Sequence, residues 1–136
     1  MRRHIVAAIA MLCVMSACSQ NESIPQDDVV DVTWTLVEVN GAPVDAAAMN
    51  RPATLLLNAE GHASGYAGCN QFGGPYAIDG GAMRFGAIAM TRMACPDRMD
   101  VETAYSAVFD ATRSWRVSDG MLELIADGRV LARFRR

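Results

Sequence analysis

The sequence predicts an antiparallel meander of short β-strands with one helix laid across the open face of the sheet. Five glycine-containing turn signals divide the chain after residue 32, and the Asn-Gly and Asp-Gly pairs favour tight hairpins because both central residues can adopt positive φ. The segments between the turns are short and alternate apolar with polar residues, as half-buried strands do. The five signals are Asn40-Gly41, Glu60-Gly61, Gly80-Gly81, Asp119-Gly120 and Asp127-Gly128.

The predicted strands follow these signals along the chain. Apolar residues take alternate positions from Val32 to Leu36 and again from Leu55 to Ala59, and a single helical turn is expected between them at Ala46–Met49. At the end of the chain, Leu122–Leu124 and Val130–Phe134 face each other across an Asp-Gly turn. This pattern of neighbouring short strands predicts sequential antiparallel pairing.

One segment has a helical period, and a helix is predicted from Asp97 to Thr112. Pro96 suits its first turn, Asp100 and Glu102 place negative charge near its positive end, and Arg113 closes it. The apolar residues recur at spacings of three and four, as one face of a helix requires. They are Val101, Ala104, Tyr105, Val108 and Phe109.

The N-terminus has the pattern of a bacterial lipoprotein signal. Arg2 and Arg3 precede an apolar run from Ile5 to Val14, which is too short to span a bilayer as a helix. The run Met15-Ser16-Ala17-Cys18 resembles a lipobox, which implies cleavage before Cys18 and acylation of that cysteine. Ser19 at the next position implies an outer-membrane address, with the domain facing the periplasm.

The chain is therefore divided into residues 1–17 (signal peptide), 18–32 (lipidated cysteine and flexible tether) and 33–136 (one globular domain). Loss of Arg2 and Arg3 with the signal changes the formal net charge from −3 to −5, because no acidic residue leaves with them. A mildly acidic domain lacks the basic face that nucleic acid requires. We therefore expect no nucleic-acid partner, and a monomer attached to the membrane by its lipid.

The domain resembles the META domain of the heat-shock protein HslJ type. The matching residues run in family order through nearly the whole domain: Trp34-Thr35-Leu36, the segment Gly65–Tyr76 containing Gly68-Cys69-Asn70, Thr91-Arg92-Met93-Ala94-Cys95, Glu102, and Leu122-Glu123-Leu124. The resemblance implies an α+β fold, with a curved antiparallel β-sheet forming a partial barrel and one main helix packed on it. It also implies a bacterial envelope protein, linked to heat shock and to tolerance of novobiocin. No catalytic mechanism and no cofactor come with the family.

The segment Gly65–Gly74 is the most unusual part of the domain, and its residues can be compared with the requirements of several kinds of site. A phosphate-binding loop would need a lysine, and the chain has none. A cysteine nucleophile at Cys69 would need a base, and His62 is the one histidine after the signal. Zinc would have Cys69, Cys95 and His62 but no paired short spacing of ligands. We therefore expect no catalytic residue and no metal site.

A disulfide between Cys69 and Cys95 is the favoured interpretation, with two buried free thiols as the alternative. The resemblance places both cysteines in the two signature loops of the family, and an oxidising compartment favours the bridge. In this interpretation Gly65 and Gly68 allow a sharp bend of the sheet, whereas Gly73 and Gly74 allow positive φ before the proline that follows. The segment then forms a stapled corner of the sheet.

The sequence thus predicts a non-catalytic outer-membrane lipoprotein that supports envelope integrity or stress tolerance by binding an unknown envelope protein or small molecule. Two alternatives remain: a half-barrel that encloses a small molecule or lipid, and an enzyme that uses Cys69. Trp34, Phe72, Tyr76 and the helix face are expected in the core or at a binding surface. Met83, Met90, Met93 and Met99 are expected to fill the core, with soft-metal binding as the alternative. Arg133, Arg135 and Arg136 are expected at a solvated strand edge.

Overall fold

A computed structural model of the protein describes residues 26–136, which form a closed eight-stranded antiparallel barrel, two further short strands and one α-helix. The predicted signal peptide, Cys18 and the start of the tether lie outside the described residues. The elements are β1 (Thr33–Val39), β2 (Ala42–Pro43), β3 (Thr54–Leu57), β4 (His62–Tyr66), β5 (Gln71–Asp79), β6 (Ala82–Phe85), β7 (Ala89–Met90), α1 (Met99–Ala111), β8 (Ser114–Ser118), β9 (Met121–Ala126) and β10 (Arg129–Arg135).

The predicted α+β fold with a partial barrel is wrong, because the last strand pairs with the first and closes the sheet. Around the barrel the strands follow the order β10, β9, β8, β6, β5, β4, β3 and β1, and β1 pairs with β10 from Thr35 opposite Arg135 to Val39 opposite Ala132. The described part of the chain is mostly β, with a single α-helix of 13 residues. Turn signals and alternation predict neighbouring strands, but they carry no information on a pairing between the two ends of the domain.

The hairpin turns agree with the prediction. Asn40, Asp119 and Asp127 have φ of 50°, 52° and 51°, and the glycine after each of them also has positive φ. Two consecutive residues of positive φ define the type I′ turn, whose twist matches that of the strands it joins. The Asn-Gly and Asp-Gly pairs therefore set the register of the hairpins β1–β2, β8–β9 and β9–β10.

The helix closes one side of the barrel and contributes to its core. Tyr105 is fully buried, its ring lies 5.7 Å from the rings of both Phe72 and Phe134, and its hydroxyl donates to the Thr54 carbonyl at 3.1 Å. Strand residues of the inner face fill the remaining space. Those with no exposed surface are Trp34, Leu36, Leu55, Leu57, Ala63, Leu122, Leu124 and Phe134. Side chains thus occupy the centre of the barrel, where the half-barrel alternative would place a ligand.

Residues 26–32, the end of the predicted tether, pack against the barrel. Val29 is fully buried and its carbonyl accepts a hydrogen bond of 3.0 Å from the Trp34 indole. The Asp31 amide donates to the Leu57 carbonyl at 2.7 Å. The chain is therefore fixed to the domain before β1 begins.

Candidate functional site

A disulfide joins Cys69, after β4, to Cys95, before α1, across a sequence separation of 26 residues. The Cα atoms of the two cysteines lie 5.8 Å apart, and Cys69 is fully buried. The predicted bridge is therefore present. The zinc and nucleophile hypotheses both require a free thiol at Cys69, and its sulfur is bonded to that of Cys95. His62 lies on β4, exposed to solvent.

The carboxyl group of Glu102, on α1, is the centre of a hydrogen-bond network beside this bridge. Its Oε2 accepts from the backbone N–H of Cys69 at 3.2 Å and of Asn70 at 2.6 Å, and its Oε1 accepts from Asn70 Nδ2 at 2.8 Å. Only 6% of Glu102 is exposed. The network therefore holds the glycine–cysteine loop against the first turns of the helix.

The Asn70 side chain extends the network to a third segment, Thr91–Met93. Its Nδ2 donates to the Met93 carbonyl at 3.0 Å, and its Oδ1 accepts from the Met93 N–H at 2.6 Å and from the Thr91 hydroxyl at 2.9 Å. We call this assembly of Cys69, Asn70, Cys95 and Glu102 the braced corner. The Asn70 amide therefore binds backbone that lies 23 residues along the chain.

Two glycines of the loop are required by the braced corner and the adjoining strands. Gly68 has φ of +116°, so the predicted sharp bend is confirmed there, and a Cβ on Gly65 would lie 2.2 Å from the Thr54 carbonyl oxygen. The prediction for Gly73 and Gly74 is wrong, since neither has positive φ. Both lie in β5, where a Cβ on Gly74 would lie 2.5 Å from the Ala87 carbonyl oxygen.

A surface groove opens beside the braced corner, between α1 and the segment Ile88–Ala94. Its larger part has a volume of about 650 Å³ and is lined by that segment, Asn70, Met99 and Glu102. A second part of about 380 Å³ continues along α1 from Thr103 to Asp110 and shares Ile88 and Met90 with the first. We call the two parts together the methionine groove.

Three of the four methionines predicted for the core line this groove. Met90, Met93 and Met99 belong to its wall, although Met90 is partly buried against the core, and Met83 is a core residue with 1% exposed. Met93 is 61% exposed and is the one large apolar residue of residues 26–136 that is exposed to this degree. Methionine is a flexible, polarisable side chain that adapts to different partner surfaces.

The other predicted residues, Trp34, Phe72 and Tyr76, do not line the groove. Trp34 and Phe72 are in the core, and Tyr76 is half-buried, with its hydroxyl donating to the Asn58 carbonyl at 2.7 Å. Burial, with the nearby charges of Asp31 and Glu60, raises the pKa of Tyr76.

A second buried glutamate, Glu123, lies on the outer wall where β1, β10, β9 and β8 meet. It pairs with Arg116 and, at 2.8 Å, with Arg133, which also contacts Glu38 at 2.6 Å. Burial alone raises the pKa of Glu123, but the hydrogen bonds and charges of the two arginines outweigh it, so the pKa is lowered. Arg133 therefore lies on a strand that is paired on both sides, and its predicted place at a strand edge is wrong. We call the cluster of Glu38, Arg116, Glu123 and Arg133, with the strands that carry it, the barrel seam.

Two further findings concern the described part of the chain. Residues 26–136 contain no group of three or more His, Cys, Asp or Glu side chains placed to hold a metal ion. No helix within that range has both the length and the apolar character that a bilayer crossing requires.

Sequence reasoning missed the role of Glu102. A signal was present, because Glu102 lies three and seven residues before Tyr105 and Phe109 and so shares their face of the helix. A carboxyl group on the buried face of a helix requires hydrogen-bond donors, and the loop amides supply them here.

Comparison with known proteins gives one family and two similar folds. Residues 27–136 match the META domain. An NMR structure of a protein from Burkholderia xenovorans is 29% identical, with a TM-score of 0.66 over 94% of this chain and 98% of that one. A second NMR structure is 22% identical, with a TM-score of 0.65 over 82% of this chain and 94% of that one, and shares the fold. No curated protein matches the chain.

Proposed function

The chain belongs to the META domain family, and we propose that it is a non-catalytic, lipid-anchored protein of the bacterial outer membrane that binds another envelope component through the methionine groove. The observation that carries the proposal is the exposure of Met93 in a groove whose backbone is held by the braced corner. Binding at this site would support envelope integrity or tolerance of stress and of novobiocin-type antibiotics.

The proposal of a membrane anchor rests on the lipobox-like run from Met15 to Cys18 and on the short apolar segment, Ile5 to Val14, that precedes it. Acylation of Cys18 with two or more chains gives stable attachment, because each buried methylene contributes about 0.8 kcal/mol. Intact and peptide-level mass spectrometry of protein extracted from membranes without reduction tests this address. A triacylated Cys18 is expected, and an unmodified Cys18 in mature protein would contradict it.

A binding role at the groove is favoured by the way its wall is fixed. Glu102 accepts hydrogen bonds from the backbone N–H groups of Cys69 and Asn70 and from the side-chain nitrogen of Asn70. The side-chain oxygen of Asn70 accepts hydrogen bonds from the Thr91–Met93 segment. A rigid wall lowers the entropy lost on binding, which is the advantage of a preorganised surface. An exposed methionine on a rigid wall is therefore a reasonable anchor for a partner.

No catalytic step is proposed, because residues 26–136 place no activated nucleophile near the groove. Cys69 and Cys95 are bonded to each other, and Glu102 accepts hydrogen bonds from three donors. Removal of Arg2 and Arg3 with the signal peptide would change the formal net charge from −3 to −5. Such an acidic chain is unsuited to nucleic acid, so the proposed partner belongs to another class.

The experiment that tests the groove is photocrosslinking in living cells. Benzoylphenylalanine replaces Ala94, an exposed residue of the groove wall, and in a matched control it replaces Ser118, an exposed residue at the end of β8. We expect a discrete crosslinked product from position 94 and none from position 118. Equal products at both positions, or none at either, would overturn the proposal.

A further inference from the structure

We infer that the occupant of the methionine groove is an extended polypeptide segment that adds as a strand to the free edge of β7. The inference rests on the proposed function and names the kind of partner that the groove takes. Three features carry it: the direction of the β7 backbone groups, the length of the groove and the charges at its two ends.

The backbone of Met90 faces the open edge of the sheet. The Thr91 N–H donates to the Gln71 carbonyl at 3.0 Å, and Phe72 and Met90 are the next pair in this antiparallel ladder. Hydrogen-bonded and non-bonded pairs alternate in such a ladder, so the N–H and C=O of Met90 point away from β5. Outside the β5 ladder, no backbone hydrogen bond of residues 26–136 reaches Ile88 or Met90.

The length of the groove suits a short strand. Its helical wall runs from Met99 to Asp110, a rise of about 16 Å at 1.5 Å per residue. An extended chain advances about 3.3 Å per residue, so about five residues would fill the groove. The helical wall beside β7 is formed by small side chains, which leave room for a further backbone: Thr103, Ser106 and Ala107.

The two ends of the groove carry opposite charges. Arg92 lines the larger part and Asp110 lines the other end. The ion pairs of the described residues involve only Glu38, Arg116, Glu123 and Arg133, so neither Arg92 nor Asp110 is neutralised in this way. The complementary segment has an acidic residue near Arg92, a basic residue near Asp110 and an apolar residue between them.

The side chains of Ile88 and Met90 provide the apolar contact. Met90 lies directly opposite Phe72, whose side chain is in the core, so both project to the inner face of the sheet, toward α1. In strand addition the backbone hydrogen bonds provide affinity, and contacts of alternate side chains provide specificity. The methionine groove offers both at one edge.

The test uses substitution of Met90 by proline. Met90→Pro removes the outward N–H without removing a ladder hydrogen bond, and proline is tolerated at such edge positions. Met90→Ala is the matched control, since it shortens the side chain and keeps the N–H. Amide NMR spectra of both variants check that the barrel is intact.

The probe is a phage-displayed library of random ten-residue peptides, selected on the folded domain and followed by titration of the enriched peptides by fluorescence anisotropy. Enriched peptides are expected to carry the predicted charge order and to bind Met90→Pro about tenfold more weakly than Met90→Ala, the factor that corresponds to about 1.4 kcal/mol for a lost backbone hydrogen bond. Equal binding to the two variants, or no enriched peptide, would overturn the inference.

The outcomes separate this inference from the proposed function. A crosslink at position 94 that persists in Met90→Pro would leave the binding role intact and reject strand addition. Absence of any crosslink at position 94 would reject both. A homodimer that Met90→Pro abolishes would place a second copy on the edge and overturn the charge-matched partner.

Discussion

Two glutamates of this barrel are equally buried, each with 6% exposed, but they have different surroundings and different roles. Glu123 lies in the barrel seam between Arg116 and Arg133, on strands that are already held by their ladders. Glu102 is bonded to backbone N–H groups and to the Asn70 amide, in a loop that no ladder holds. The ion pairs of Glu123 supplement strands that backbone hydrogen bonds already hold together. Glu102 instead accepts hydrogen bonds from loop amides that have no strand partner, and so it sets the shape of the loop.

The molecule therefore has two parts: a barrel held by its strand pairing, and the methionine groove, whose wall is held by the braced corner. The barrel seam is stabilised by pairing between β1 and β10 and would form with or without its ion pairs. The braced corner depends on the Cys69–Cys95 bridge and on Glu102, and it fixes the Thr91–Met93 wall of the methionine groove. We therefore expect damage to the corner to lower both stability and binding, and damage to the seam to lower stability alone.

The largest expected effect is loss of the bridge in the double variant Cys69→Ala, Cys95→Ala. The chain-entropy relation for a loop of about 26 residues gives a loss of about 3.5 kcal/mol in the free energy of unfolding. Urea unfolding with and without reductant measures it, and reductant should have no further effect on the variant. An unchanged free energy of unfolding would show that the bridge does not support the corner.

The next effect compares Glu102→Ala with Glu123→Ala. Glu102→Ala leaves buried N–H groups of Cys69 and Asn70 unpaired, so we expect a loss of about 3 kcal/mol. Glu123→Ala leaves two arginines that water can reach, so a loss of about 1 kcal/mol is expected. Urea unfolding of both variants, with amide exchange of residues 90–94, measures the difference. Equal losses, with unchanged exchange in that segment, would remove the distinction between the two glutamates.

A smaller effect is the acid dependence of the barrel seam. Because the pKa of Glu123 is lowered in the folded protein, its stabilisation is present above the pKa of an unfolded glutamate and is lost as the pH falls through the folded value. The loss should develop over the pH range that starts near 4.5, the ordinary pKa of glutamate, and extends down through the lowered folded value. Urea midpoints across this range should fall less steeply for Glu123→Gln than for the wild type, and identical slopes would refute the assignment.

The smallest effect on stability is expected for Met93→Gln, because Met93 is 61% exposed. The free energy of unfolding should change by no more than about 0.5 kcal/mol, as for other surface substitutions. The crosslink from position 94 should nevertheless weaken, since the apolar anchor is lost. The control Met83→Gln, which buries an amide in the core, should destabilise the domain by about 2 kcal/mol or more. A crosslink of unchanged yield in Met93→Gln would exclude Met93 as an anchor.

Local signals in the sequence predicted the parts of this fold that depend on neighbouring residues. Asn40-Gly41 and the two Asp-Gly pairs predicted their turns, and the period through Tyr105 and Phe109 predicted the helix, which begins at Met99 and not at Asp97. Closure of the barrel was not predicted, because the pairing of Thr35 with Arg135 joins residues 100 positions apart. No local pattern specifies such a pairing.

The candidate site was predicted in part. The sequence predicted the pairing of Cys69 with Cys95, but it presented Glu102 as a residue of the family match and a favourable charge near the start of the helix, not as an acceptor for the loop amides. The groove was missed because it depends on β7, a strand of two residues that is too short to show alternation. The methionines were predicted to lie in the core because the sequence does not distinguish an apolar residue of a groove wall from one of the interior.

The measurement that tests the central claim most directly is the photocrosslink from position 94 in two isosteric backgrounds, Glu102→Gln and Glu123→Gln. Both variants replace one carboxyl oxygen of an equally buried glutamate by an amide, and circular dichroism confirms folding in each. The crosslink should be lost in Glu102→Gln, because an amide N–H opposes the loop N–H groups, and retained in Glu123→Gln. Equal yields in the two backgrounds would contradict the claim that the braced corner holds the groove in its binding form.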